Sequence, residues 1–75
     1  MTTALEQIRE DQALGAAWRR CEAALPGGAS FELIHRIDGE YTGSFLLARG
    51  SGMGTVVKSP IRALEAITEA LEQLD

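Results

Sequence analysis

The stretch that decides the fold is residues 30–48, SFELIHRIDGEYTGSFLLA. Apolar residues alternate with other residues on both sides of Asp38-Gly39. Phe31 and Leu33 belong to this pattern before the turn, and Phe45 belongs to it after the turn. This alternation is typical of strands that bury one face. Asp-Gly is a strong turn signal. The stretch therefore predicts a β-hairpin, with strands over residues 30–37 and 40–48.

The register of this hairpin can be predicted from the two faces. A three-residue loop, residues 37–39, places Phe31 opposite Phe45 and puts Gly39 where a left-handed residue is needed. The same loop sets His35 opposite Tyr41. A two-residue loop would place the apolar face of one strand beside a polar face of the other, because a shift of one residue inverts the faces. We therefore expect the three-residue loop.

Helical patterns lie on both sides of this hairpin. Residues 3–25 begin with a capping box, Thr3 and Glu6, and end at Pro26-Gly27-Gly28. After a predicted turn at residues 50–52 and a third strand at 53–58, Ser59-Pro60 is a typical helix start. The apolar stripe of this last helix is Ile61, Leu64, Ile67, Leu71 and Leu74. The order α-β-β-β-α predicts one α+β domain over residues 1–75, with a three-stranded antiparallel sheet packed with two helices.

The apolar residues of the first helix do not all share one face. Leu5 and Ile8 lie on the side opposite the main stripe, at about 100° per residue. Residues 9–12 contain no apolar side chain, and Asp11 could cap a new helix. Residues 1–10 are therefore either a separate, frayed or kinked arm, or a self-interface in which Leu5 and Ile8 join two copies into a homodimer.

The main stripe predicts the core. It contains Leu14, Trp18 and Cys21, which we expect to pack against both the sheet and the last helix. The expected partners are Phe31, Leu33, Phe45, Leu64, Ile67 and Leu71. An exposed tryptophan on this helix would instead mark a binding hot spot.

Length and composition exclude several classes of function. A chain of 75 residues buries only about 60% of its unfolded surface, which leaves little material for a deep active site. The net charge of −4 argues against a general nucleic-acid binder. One cysteine cannot form an internal disulfide, and the sequence shows neither a signal peptide nor a membrane span. We expect a cytoplasmic protein that contacts no membrane.

Candidate catalytic residues are few. Cys21 and His35 are the only nucleophile–base candidates, and both lie at positions expected to be structural. One histidine and one cysteine are too few for a protein metal site. The glycines at positions 50, 52 and 54 precede a β-prone segment, so they predict a hairpin turn rather than a phosphate loop. We predict no catalytic residues, no metal and no cofactor, and therefore not an enzyme.

The charge pattern suggests where a partner would bind. Residues 64–75 contain no basic residue and four acidic ones, Glu65, Glu69, Glu72 and Asp75, which together equal the whole net charge. This acidic ridge either keeps the surface solvated or binds a partner with a basic groove, of the kind that normally holds nucleic acid. The alternative contact is the outer sheet face, with Ile34, Thr42, Ser44 and Leu46, or the turn at Asp38-Gly39.

Two resemblances bear on the fold. The element order, with Gly52-Met53-Gly54 through Lys58 and then Ala63, Ala66 and Ala70, resembles double-stranded-RNA-binding domains. That family has a lysine-rich start to its last helix, whereas this chain has only Lys58 and Arg62 there. The resemblance implies the topology alone.

The second resemblance covers most of the chain. It is carried by Ala17-Trp18-Arg19, residues 22–26, the Asp38-Gly39-Glu40-Tyr41 hairpin, Ser59-Pro60 and Ala63-Leu64. These features resemble short helix-sheet-helix proteins of phages and prophages, sometimes described as phage sandwich domains. This resemblance implies the helix-sheet-helix fold and, for a phage-encoded protein, a location in the host cytoplasm.

Three functions are consistent with these observations. The leading one is a small acidic protein-interaction module, in one version a phage-encoded inhibitor of a host nucleic-acid-handling defence complex. The second is a nucleic-acid binder with the topology of double-stranded-RNA-binding domains. The third is a homo-oligomeric structural or assembly subunit.

Overall fold

The computed structural model describes residues 4–74, with side chains for residue 4 and residues 9–74. The elements are α1 (Ala4–Ala24), β1 (Ser30–His35), β2 (Tyr41–Leu46), β3 (Gly52–Val57) and α2 (Pro60–Glu72). The predicted α-β-β-β-α order and the α+β class are confirmed. The strands form one antiparallel sheet in the order β1-β2-β3.

The predicted hairpin register is confirmed. Phe31 lies opposite Phe45, and His35 lies opposite Tyr41. The turn is closed by the Arg36 N–H, which donates to the Glu40 carbonyl at 2.7 Å. Gly39 has φ +89°, a left-handed backbone conformation that is unfavourable for residues with a side chain.

The β2–β3 connection repeats this geometry two positions earlier than predicted. The Leu47 N–H donates to the Ser51 carbonyl at 2.7 Å, and Gly50 has φ +93°. The turn therefore occupies residues 48–50 rather than 50–52, and β3 begins at Gly52. The sequence prediction was wrong here because three glycines in five residues left the left-handed position ambiguous.

Helix α2 starts as predicted. Ser59 is extended, at φ −135° and ψ 135°, and its hydroxyl accepts a hydrogen bond from the Arg62 N–H at 3.5 Å. Pro60 follows at the first helical position, where its missing N–H costs no hydrogen bond. The buried side of α2 consists of Ala63, Leu64, Ile67, Thr68 and Leu71.

Both helices lie on the same face of the sheet. A Cβ built on Gly43 of β2 would lie 2.9 Å from Ile67 Cδ1 and 3.1 Å from Ala63 Cβ, so α2 packs directly over the central strand. Helix α1 packs beside α2, and it reaches the sheet through Trp18, whose ring is 4.6 Å from that of Phe31. The other face of the sheet is not covered by any described residue.

The core lies between the helices and the covered face. It consists of Ala17, Cys21, Phe45, Leu47, Leu64, Ile67 and Leu71, with Leu14, Phe31 and Leu33 partly buried against it. Trp18 departs from the prediction, because 39% of its surface is exposed. It packs over β1, an edge strand with a neighbouring strand on only one side, so the ring is not fully enclosed.

Helix α1 is continuous from Ala4 to Ala24, without the break considered at residues 9–12. Its side chains are exposed from Arg9 to Ala13, and among the side chains described from Arg9 onward Leu14 is the first to pack against the core. The Leu5 and Ile8 side chains and the proposed Thr3 cap lie outside the described residues. The idea that residues 1–10 form a separate arm or a self-interface therefore stays a prediction.

Candidate interaction surfaces

The two residues considered for nucleophile–base chemistry occupy different parts of the fold. Cys21 is buried between α1 and α2, where it hydrogen-bonds Thr68. His35 is exposed at the end of β1, where its ring stacks on Tyr41 with centroids 4.3 Å apart and planes 6° from parallel. Each side chain thus has a structural partner of its own.

The surroundings of Cys21 reduce the reactivity of the thiol. Burial raises the pKa of the thiol above its ordinary value; the Glu22 carboxylate also raises it, and the hydrogen bond with Thr68 opposes the change. Since the thiolate is the nucleophile, a raised pKa reduces reactivity. Among the side chains that the structure describes, no group of three or more His, Cys, Asp or Glu is placed to hold a metal ion.

The acidic ridge lies on the side of α2 that faces away from the sheet. Glu65 and Glu69 are each two residues from Ile67, and therefore point roughly 160° away from it at about 100° per residue. Ile67 faces the sheet, and all three ridge glutamates, including Glu72, are exposed. Asp75, the fourth predicted member of the ridge, lies outside the described residues.

The open sheet face is the surface opposite this ridge. We use this name for the outward-pointing residues of the three strands: Ser30, Glu32, Ile34, Thr42, Ser44, Leu46, Gly54 and Val56. Side chains that are paired across strands point to one face, so Ile34, Thr42 and Val56 form one row and Glu32, Ser44 and Gly54 the next.

Three of the four exposed large apolar side chains of the strands lie on this face, and the fourth, Met53, shares the covered face with Phe45. Ile34 is 47% exposed, Leu46 54% and Val56 48%. Glu32 is the only charged residue of the open face. The small side chains of Ser30 and Ser44 leave a shallow depression of about 480 Å³ beside Leu46.

The structure brings together the four residues predicted as an alternative contact, Ile34, Thr42, Ser44 and Leu46, on this single face. Sequence reasoning missed Val56. The alternation of β2 assigns a face to every residue of that strand. The short β3 sequence GMGTVV has apolar residues on both sides and could not be assigned without its register to β2.

A second apolar surface lies at the end of the molecule where both helices finish. It is a groove of about 440 Å³ between the end of α1, the β2–β3 turn and the end of α2. Its apolar walls include Leu47, Leu71 and Leu74, and Arg49 lies at its rim. Leu74 belongs to the predicted apolar stripe of α2 but is 38% exposed, because the helix has ended at Glu72.

No family model matches the chain, and neither a similar curated protein nor a similar solved structure was found. The resemblance to phage sandwich domains therefore stays a prediction. Within residues 4–74, neither helix has the length and apolar character that crossing a bilayer requires.

Proposed function

We propose that this protein is a non-enzymatic protein-interaction module that binds its partner through the open sheet face. The observation that supports the proposal is the exposure of three large apolar side chains, Ile34, Leu46 and Val56, on one uncovered face of the sheet. Single exposed apolar residues are normal on a protein surface, whereas several on one uncovered face are typical of interaction sites.

The chemistry of this face also describes the partner surface. Glu32, at one edge, is its only charge, and Thr42 and Ser44 occupy its centre. A complementary surface would be apolar and largely uncharged, since burying an unpaired charge against Ile34 or Leu46 is costly. The partner is therefore a protein surface rather than a polyanion such as nucleic acid.

The acidic ridge supports a different version of the same function. A phage-encoded inhibitor of a host nucleic-acid-handling complex would meet a basic groove with Glu65, Glu69 and Glu72. These residues lie on the helix side, so one flat partner surface cannot cover both the ridge and the open sheet face. The two versions can thus be separated by substitutions on opposite sides of the molecule.

The experiment compares capture by three forms of the immobilised chain: the wild type, Ile34→Ser with Leu46→Ser, and Glu65→Gln with Glu69→Gln. Proteins retained from a lysate of the expressing cells are quantified by mass spectrometry. We expect the open-face variant to lose a specific protein by about tenfold or more, and the ridge variant to retain it.

Circular dichroism melting provides the control, because all four substitutions lie at exposed positions and should leave the fold intact. Loss of the same protein only in the ridge variant would contradict the open-face proposal and favour a basic partner. Equal capture by all three forms would exclude both surfaces. A stable homo-oligomer without any captured protein would favour the assembly subunit.

A further inference from the structure

We infer that the free edge of β3 is a docking site for an extended segment of the partner protein, which adds to the sheet as a fourth strand and carries acidic residues on both sides of an uncharged centre. This inference rests on the proposed function, because it names the partner chemistry and the binding mode for the same side of the molecule.

The area of the open sheet face gives the first reason. Three strands of six residues cover roughly 20 Å by 14 Å, or about 280 Å², at about 3.3 Å per residue and 4.8 Å per strand. A stable interface usually buries about 800 Å² per partner. A partner that uses this face must therefore also contact a neighbouring surface, and the sheet edges are the nearest.

The backbone of β3 provides free hydrogen-bonding groups at one such edge. The bond from the Leu47 N–H to the Ser51 carbonyl fixes which residues face β2, because bonded pairs in an antiparallel ladder recur at every second residue. Met53, Thr55 and Val57 therefore pair with β2. The N–H and C=O groups of Gly54 and Val56 point outward, and no other strand of the described chain pairs with them.

The two edges of the sheet differ in how easily a strand can approach. On β1 the ring of Trp18 packs against Phe31 on the helix side, and Glu32 adds a charge. On β3 the sequence GMGTVV has no charged residue, no aromatic residue and no proline. Natural sheets usually protect an edge with charges, proline or bulges, so a bare edge of this kind is a ready template for strand addition.

The charges at the ends of β3 indicate which kind of segment would bind along its free edge. Residues 41–64 contain three basic residues, Arg49, Lys58 and Arg62, and no acidic one. Arg49, whose Nε donates to Ser51 Oγ at 2.8 Å, lies in the turn before β3. Lys58 follows β3 directly and continues the register opposite Glu40, so one basic residue flanks each end of β3 along the chain. A strand with acidic residues beyond both ends of its paired centre would meet a positive charge at each.

A second copy of this chain fits the edge less well. Antiparallel pairing of two β3 strands about Gly54 would set Lys58 of one copy opposite Gly50 of the other, beside Arg49. Two cations would then meet at each end of the new pair, and like charges placed together are destabilising. In this register the charges favour an acidic segment of a different protein over a second copy.

The test uses two synthetic peptides with blocked termini and a Thr-Val-Thr-Val-Thr centre, one with a pair of glutamates at each end and the other with lysines. Binding to the full chain is measured by titration calorimetry, and the amides of Gly54 and Val56 are followed by NMR. We expect the glutamate peptide to bind about tenfold or more tightly than the lysine peptide at low salt, and the difference to shrink as salt rises.

Two substitutions at one position test the strand addition itself. Gly54→Pro removes an outward N–H without breaking the ladder to β2, as proline is tolerated where the N–H of an edge strand faces solvent. Gly54→Ala keeps the donor, and its Cβ would lie 3.6 Å from Ser44 Cβ, an ordinary contact. Gly54→Pro should weaken glutamate-peptide binding by about tenfold, and Gly54→Ala by less than about threefold.

Equal binding of the two peptides, or unchanged binding by Gly54→Pro, would overturn the inference. A dimer of the chain alone that Gly54→Pro dissociates, without peptide binding, would also overturn it in favour of a second copy. If the open-face variant loses its captured protein while Gly54→Pro keeps it, the proposed function stands and strand addition fails. If Gly54→Pro loses that protein and the open-face variant keeps it, the edge stands and the open face fails.

Discussion

The two faces of this sheet are built from the same three strands and have opposite environments. Leu46 and Leu47 show the contrast best, because they are adjacent in the chain and yet 54% and 9% exposed. Leu47 points toward the helices, whereas Leu46 points to the face that has no covering layer. Burial is therefore decided here by which side of the sheet α2 occupies, and not by the apolarity of the residue.

The largest expected effect separates two leucines, one from each side. Leu64→Ala removes a side chain with 0% exposure between α2 and its neighbours, and should reduce the free energy of unfolding by about 2–5 kcal/mol. Leu46→Ala, its match on the open sheet face, should change that energy by about 0.5 kcal/mol or less. Urea titration followed by circular dichroism measures both.

A comparable loss in the two variants would show that the open sheet face is covered in solution. In that case the Leu46 effect should depend on protein concentration, because only a second copy is available in a pure sample. A loss independent of concentration would place Leu46 inside the fold and would contradict the assignment of the faces.

A second pair compares two glycines. A Cβ at Gly43 would lie 2.9 Å from Ile67 Cδ1 and 3.2 Å from the Ala63 carbonyl oxygen, so Gly43→Ala must push α2 away from the sheet. We expect a cost of about 1–3 kcal/mol. A Cβ at Gly54, on the other face, would make only ordinary contacts, so Gly54→Ala should lie within about 0.5 kcal/mol of the wild type. Thermal melting of the pair is sufficient, and equal melting temperatures would mean that α2 does not pack closely over β2.

A smaller loss of stability than for Leu64→Ala or Gly43→Ala is expected at Trp18, which lies between the buried core and the solvent. Trp18→Ala removes a side chain that is 39% exposed and contacts Phe31, so we expect about 1–2 kcal/mol. A fully buried tryptophan would cost about 3–5 kcal/mol. Denaturant unfolding decides between these values. A loss of about 3–5 kcal/mol in the free energy of unfolding would show that Trp18 is a core residue, as the sequence predicted.

The fold could be predicted from the sequence wherever local chemistry determines it. Alternation around Asp38-Gly39 predicted the register, and Ser59-Pro60 predicted the start of α2, because turns and caps depend on a few neighbouring residues. The exposure of Trp18 could not be predicted in the same way. It depends on the position of α1 above an edge strand, which is a tertiary relationship that no local pattern encodes.

The same limit applies to the candidate sites. The sequence placed Ile34, Thr42, Ser44 and Leu46 on one face, since they alternate along paired strands. It did not place Val56, because that assignment needs the β2–β3 register. The acidic ridge was predicted from helical spacing, and its three described members do share the exposed side of α2. Whether either surface binds a partner depends on a second molecule.

The order of the elements has a consequence for synthesis. All three strands precede α2, whose Leu64, Ile67 and Leu71 complete the core. At about 5–20 residues per second, a ribosome needs roughly 1–3 s to make the 13 residues of this helix. A sheet formed without α2 would lack the layer that covers one of its faces. The domain can therefore complete its core only after residues 60–72 have been made and have left the ribosome.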